Sequence, residues 1–166
     1  MSTSEIAARM SEVGDAATKL RSFLEPRWEE YKIESGRPIG FMEAISASMC
    51  GFSSAFAAIV LGTQDGATWR VAGGTPENGG GVLGADSRLK GHFWTVSDDG
   101  IVVDLTADQF GLPAVVVTSQ RDSRFRESFS PHEIELHMPR VLPVAHDWIE
   151  HAMEYGIVPS SMRLAA

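Results

Sequence analysis

The hydrophobic residues of this chain change their period at Gly62, and that change limits the fold more than any other feature. Before it, Ile6, Met10, Val13, Ala17, Leu20 and Leu24 recur at three- and four-residue steps, the spacing of one face of an amphipathic helix. Ser2-Thr3-Ser4-Glu5 has the spacing of a capping box at its start. Pro26 predicts an interruption, because an interior proline removes a backbone donor. Arg27 to Glu34 then predicts a second short helical piece, and Ser35-Gly36-Arg37-Pro38 a turn. Phe41, Ile45, Met49, Phe52, Phe56 and Ile59 resume helical spacing, with Gly62 as a suitable stop.

Beyond Gly62 the residues are β-formers. Thr68 to Ala72, Gly91 to Val96, Ile101 to Thr106 and Ala114 to Ser119 are rich in β-branched and aromatic side chains. They predict one mostly antiparallel sheet of about four strands. Ser130-Pro131-His132-Glu133 carries a second capping-box signal, for a short helix ending before Pro139. Val144, Trp148, Ile149, Ala152 and Tyr155 share a face of a last helix closed by Gly156. N-terminal helices, a sheet and a C-terminal helix make the expected class α+β. At 166 residues, one domain is the default.

The stretch GGTPENGGGVLGADSRLK, between the first two strands, is too long for a tight hairpin loop. It reads as a mobile or functional segment, a lid over a site being one form. Its GGGVLG has the spacing of a dinucleotide fingerprint, but no ten-residue helix follows, so nucleotide binding is not expected.

A net charge of −8 repels phosphate backbones, so nucleic acid is not an expected partner. No run of eighteen apolar residues and no signal-peptide pattern is present, which predicts no membrane association and a cytoplasmic location. His132, His137, His146 and His151 fall at spacings that do not bring neighbours to one helical face, so no metal and no cofactor is expected. The locally basic RDSRFRESF, residues 121 to 129, reads as a solvated loop.

A single cysteine, Cys50, can form neither an intrachain disulfide nor a thiolate zinc site. It is either a small buried hydrophobe or a reactive thiol. If Ser46 or Ser48 caps the helix that follows, Cys50 stands in the first turn, where backbone N–H groups and the helix dipole favour a thiolate. The unbroken spacing from Phe41 to Ile59 also permits one long helix with Cys50 buried in its middle.

The hairpin GHFWTVSDDGIVVDLTADQF supplies the possible partners, His92 and Asp104, and its turn can close in two ways. A two-residue Asp99-Gly100 turn sets Thr95 opposite Asp104 and puts His92 on the other face. A three-residue Asp98-Asp99-Gly100 loop, with Gly100 left-handed, sets Trp94 opposite Asp104 and makes His92 its diagonal neighbour. The second explains the aspartate, since a buried carboxylate needs a donor.

A cysteine at a helix start (MCGFSSAFAAIVLG), a histidine on a strand followed by aromatics (HFW) and an aspartate on the next strand (VVDLTADQF) resemble the papain-like superfamily, and within it the transglutaminase-like cysteine hydrolases. The resemblance covers residues 46 to 110 and implies a catalytic core over residues 40 to 120. It makes Cys50 the nucleophile, His92 the general base and acid, and Asp104 the residue that orients the imidazole. Trp94 and Gln109 are the candidate substrate-contacting residues, with Asp108 beside them. No glutamine precedes Cys50 where papain-type proteases place an oxyanion-hole side chain, and Gly51 follows it where transglutaminases commonly have an aromatic. The expected activity is cysteine-dependent hydrolysis of a peptide, isopeptide or glutamine carboxamide bond in a protein or peptide substrate. The alternatives are a transglutaminase or acyltransferase, and a non-enzymatic interaction domain that acts with a protein partner.

Overall fold

The computed structural model describes residues 3–37, 43–160 and 162. Ser2 of the first capping box, Pro38 of the predicted turn and Phe41 of the second helical pattern lie outside them. The class is α+β: a four-stranded antiparallel sheet, a smaller three-stranded sheet and three helices.

Helix α1 runs unbroken from Thr3 to Glu34, so Pro26 does not divide it. Leu24 and Trp28 anchor it on either side of the proline, both fully buried, whereas Pro26 and Ser22 are exposed. The Ser22 carbonyl that loses its backbone donor therefore faces solvent. Val13, Ala17, Leu20, Leu24 and Trp28 form the buried stripe, as the spacing predicts.

Helix α2 spans Cys50–Asp65 and is the central element, with Phe52, Ala55, Phe56, Val60 and Leu61 all buried. It continues past Gly62 and ends at Gly66, which is left-handed (φ 69°) and whose N–H donates to the Gly62 carbonyl. Helix α3, Pro131–Glu154, is also one element rather than two. Its start is the predicted capping box, Ser130 and Glu133 each bonding the other's backbone N–H. Pro139 and Pro143 sit on its exposed side, and Val141, Ala145, Trp148, Ile149 and Ala152 hold the other side in the core. Tyr155 is exposed at its end rather than part of that face.

Strands β1 (Trp69–Gly74), β4 (His92–Ser97), β5 (Ile101–Asp104) and β6 (Val116–Ser119) pair antiparallel in the order β1-β4-β5-β6. Side chains alternate between two apolar clusters. Ile101 and Val103 point into the one built with α1, α2 and α3, and Val102 into the other, with Trp94 and Val96. The second cluster is closed by the small sheet of β2 (Gly81–Leu83), β3 (Leu89–Lys90) and β7 (Phe125–Arg126), in the order β3-β2-β7.

That small sheet corrects two expectations. The glycine-rich stretch is not a lid: Val82 is fully buried, and β2 pairs on both sides. Its glycines serve close packing, since a methyl group at Gly74 would collide with the backbone nitrogen of Gly81, and one at Gly81 with the Lys90 carbonyl. The basic run 121 to 129 is likewise not a solvated loop. Phe125 is buried against Trp94, ring centroids 5.4 Å apart, while Arg124 pairs with Asp122 and Glu127 with Arg70.

Candidate active site

The β4–β5 register decides whether the hairpin carries a site. Thr95 lies opposite Val103 and Val96 opposite Val102, which leaves Asp98, Asp99 and Gly100 as the loop. Gly100 is left-handed (φ 84°), and its N–H donates to the Ser97 carbonyl. This is the three-residue closure, and it puts His92, Trp94 and Asp104 on one face.

His92 and Asp104 meet there. His92 Nε2 lies 2.7 Å from Asp104 Oδ2, with the two side chains 0% and 1% exposed. The other carboxylate oxygen accepts the Thr106 backbone N–H at 2.8 Å and the Thr106 hydroxyl at 3.1 Å. An Asp two residues before a Thr is the sequence signal for that turn. The edge of Phe110 closes over the imidazole at 4.9 Å between ring centroids. With Nε2 committed to the carboxylate, Nδ1 is buried and has no hydrogen-bond partner of ordinary length. It is the ring nitrogen left for Cys50.

Cys50 is the first residue of α2 and half-buried, so the single long helix with a mid-helix cysteine is ruled out. Neither Ser46 nor Ser48 caps this helix, however. Met49 occupies the N-cap position without a side-chain bond, and Ser48 is left-handed (φ 64°). The Ser46 hydroxyl is instead bound to Asp108 Oδ1, and the left-handed Ser48 turns the chain into the helix. Among the described residues, the first backbone N–H groups of α2, beginning with that of Cys50, have no intrahelical or side-chain acceptor. They supply the positive end of the helix next to the thiol.

The electrostatics couple these groups. Burial opposes ionisation of the Cys50 thiol, but hydrogen bonding and charge from His92 and the Phe93 backbone N–H overcome it, and the pKa falls below its ordinary value. Burial would likewise lower the His92 pKa, yet Asp104 first and Cys50 second push it up to about 10. Both shifts act in the direction of a thiolate beside an imidazolium, and the two groups titrate as a coupled pair.

A second polar cluster fixes the surroundings. Arg21 reaches Asp108 through two bonds of 2.8 Å and also donates to the Leu105 and Ala114 carbonyls at 2.7 and 3.1 Å. Asp108 thus ties the loop after Asp104 to α1 and, through Ser46, to the turn before Cys50. Lys32 Nζ holds that turn from its other side by donating to the Ile45 carbonyl at 2.8 Å. A lone basic residue on an amphipathic helix gave no signal for this role of Arg21.

Of the two expected substrate-contacting residues, neither lines the cavity beside Cys50. Trp94 is buried in the second apolar cluster against Phe125, because the register that joins His92 to Asp104 also turns Trp94 inward. Gln109 Nε2 bonds the Thr106 carbonyl at 2.8 Å within its own loop. The cavity beside Cys50, about 80 Å³, is lined instead by residues that periodicity alone did not single out, among them Ser48, Phe93, Met138, Arg140 and Val141. Larger depressions lie elsewhere, one of about 470 Å³ between Arg70, Phe129 and Met138.

Among the described residues no group of three or more His, Cys, Asp and Glu side chains is placed to hold a metal ion, and no helix is long and apolar enough to cross a membrane. No protein-family model, curated protein or solved structure matches this chain.

Proposed function

We propose that this protein is a cysteine-dependent hydrolase acting on an amide bond, in a peptide, an isopeptide or a glutamine carboxamide. The observation that carries the reading is the His92–Asp104 pair, buried and 2.7 Å apart, with its free ring nitrogen left for a thiol at a helix start. Three residues separated by 42 and 12 positions contribute to one polar constellation inside an apolar interior, which has a cost that packing alone does not require.

The chemistry follows from the charges. The Cys50 thiolate attacks the amide carbonyl carbon, and the C–O π electrons move onto oxygen, where the Cys50 backbone N–H at the helix start is a donor for the oxyanion. Collapse breaks the C–N bond, and the nitrogen leaves with the His92 Nδ1 proton. The resulting thioester is attacked by a water whose proton passes to His92, releasing the carboxylic acid and restoring the thiolate–imidazolium pair. An amine in place of water would give transfer, the transglutaminase-like variant. Asp104 keeps the imidazole oriented throughout. The chain order and the placement on helix start, strand and next strand support a papain-like or transglutaminase-like core. A lone thiol of this kind suits the reducing cytoplasm, where we place it.

A non-enzymatic interaction domain is the second reading. It is favoured by the size of the cavity at Cys50, about 80 Å³, well below the roughly 300 Å³ at which ordinary small-molecule sites begin.

The deciding experiment measures iodoacetamide alkylation of Cys50 against pH in native wild type and His92→Ala, followed by a screen of amide substrates. Native labelling with an apparent pKa well below the ordinary thiol value, lost in His92→Ala, supports the hydrolase. Labelling only after unfolding, or with an ordinary pKa that ignores His92→Ala, leaves the interaction domain.

A further inference from the structure

The cavity at Cys50 has walls of one kind and a rim of another. Phe52, Phe93, Met138 and Val141 make the walls apolar, while Ser48, His137 and Arg140 also line it. Among the described residues no acidic one lines it, in a chain with 22 acidic and 14 basic side chains. His137 is held at the rim by its ring contact with Phe93, 5.1 Å between centroids. Glu133, one turn earlier on α3, is committed to the Ser130 capping box.

Among the described arginines, Arg140 is set apart by its place, since it lines the cavity at Cys50. Arg9, Arg21, Arg27, Arg70 and Arg124 each pair with a carboxylate. Arg140 is exposed, lies beside the nucleophile and forms no ion pair among the described residues. A guanidinium is a planar fork that matches a carboxylate through two parallel bonds, and apolar walls on one side reduce the screening that weakens such pairs in open water.

We infer that the site takes an amide whose acyl portion bears a carboxylate, recognised by Arg140 at the cavity rim. The inference rests on the cysteine-hydrolase reading and names its substrate class. The small cavity receives a short unbranched acyl chain, with the scissile carbonyl at Cys50 and the negative charge held at the rim.

The test compares two alkylating reagents that differ only in charge. Cys50 displaces iodide from iodoacetate, forming an S–CH2–COO⁻ group, and from iodoacetamide, forming the neutral S–CH2–CONH2 equivalent. The ratio of the two second-order rates, read by intact-protein mass at one pH and low salt, divides out thiolate population and general access. The ratio is expected to fall about five- to tenfold in Arg140→Ala, to recover in part in Arg140→Lys, and to fall with added salt in wild type more steeply than in Arg140→Ala. Because Arg140 is exposed, circular dichroism should be unchanged. A ratio that is the same in wild type and Arg140→Ala overturns the role of Arg140 while leaving the hydrolase intact. Failure of both reagents to label native wild type overturns the hydrolase reading and this inference with it.

Discussion

The Nε2 atom of His92 and the Oδ2 atom of Asp104 stand 2.7 Å apart with almost no solvent contact, and the pair is held from both sides: Thr106 saturates the far carboxylate oxygen and Phe110 covers the ring. Removing the charge of one partner leaves the other buried alone. Asp104→Asn should therefore lower the unfolding free energy by about 3 kcal/mol or more, read from urea unfolding at pH 7. A loss below about 1 kcal/mol would mean that the imidazole is neutral in the folded protein.

The raised pKa of His92 also sets a pH dependence. Above about pH 9 an unfolded chain has lost the protons of both an ordinary histidine and an ordinary cysteine, whereas the folded chain keeps the His92 proton until about pH 10. The folded state binds more protons across that interval, so stability falls as pH rises through it. The difference in urea midpoint between wild type and His92→Gln should shrink from pH 9 to 11. A difference that stays constant would place the His92 pKa near its unfolded value.

Arg21 is predicted to be the most sensitive residue outside the group of Cys50, His92 and Asp104. Arg21→Ala leaves Asp108 with only the Ser46 hydroxyl as a side-chain donor and takes the Arg21 donor from the carbonyls of Leu105 and Ala114, at a cost of about 3 kcal/mol. Ser46→Ala removes only one bond to the same carboxylate and should cost about 1.5 kcal/mol. Both should slow iodoacetamide labelling of Cys50, because they loosen the turn that starts α2. Thermal melts beside labelling rates separate this from simple unfolding.

Ser48 carries backbone strain one residue before the N-cap of α2 (φ 64°). Ser48→Gly should lie within about 1 kcal/mol of wild type, whereas Ser48→Val should lose about 1 to 2 kcal/mol. Equal melting temperatures for the two variants would show that the turn can relax without cost.

Gly81 offers a test of the second core. Its φ of 101° and the Lys90 carbonyl against its α-carbon leave no room for a methyl group, so Gly81→Ala should destabilise by about 2 kcal/mol. The loss should be visible as weakened packing of Trp94 against Phe125, followed by tryptophan fluorescence.

The main helices and the four strands of the larger sheet were legible in the sequence because each buries a regular set of apolar side chains. Their ends were less legible. Pro26 and Pro139 read as breaks, yet each lies on a solvent-facing side where a lost backbone bond is cheap, and the buried residues around it keep the helix whole. The short strands β2, β3 and β7 hold two or three residues each, too few for a period to show. For the site, Cys50, His92 and Asp104 were visible by type and order, and the hairpin had two closures that only the register could separate. Trp94 shares the face of His92 in the sequence, but alternation does not say that this face is covered by Phe125 and the small sheet. Arg21 and Arg140 were hidden for a different reason: a charged residue on a helix looks the same whether it faces open water, a half-buried carboxylate or a cavity.

Pro139 and Pro143 have a mechanical consequence. Neither can donate a backbone bond, so the carbonyls of Glu135 and Pro139 lose their intrahelical donors. The segment between the two prolines contributes Arg140 and Val141 to the cavity at Cys50, and Met138 lines it just before Pro139. The wall facing the thiol is thus the most compliant stretch of α3, while the opposite wall, the first turn of α2, is wedged into the core. A group larger than the resting cavity would displace the helix that carries Arg140 before it disturbed the helix that carries Cys50.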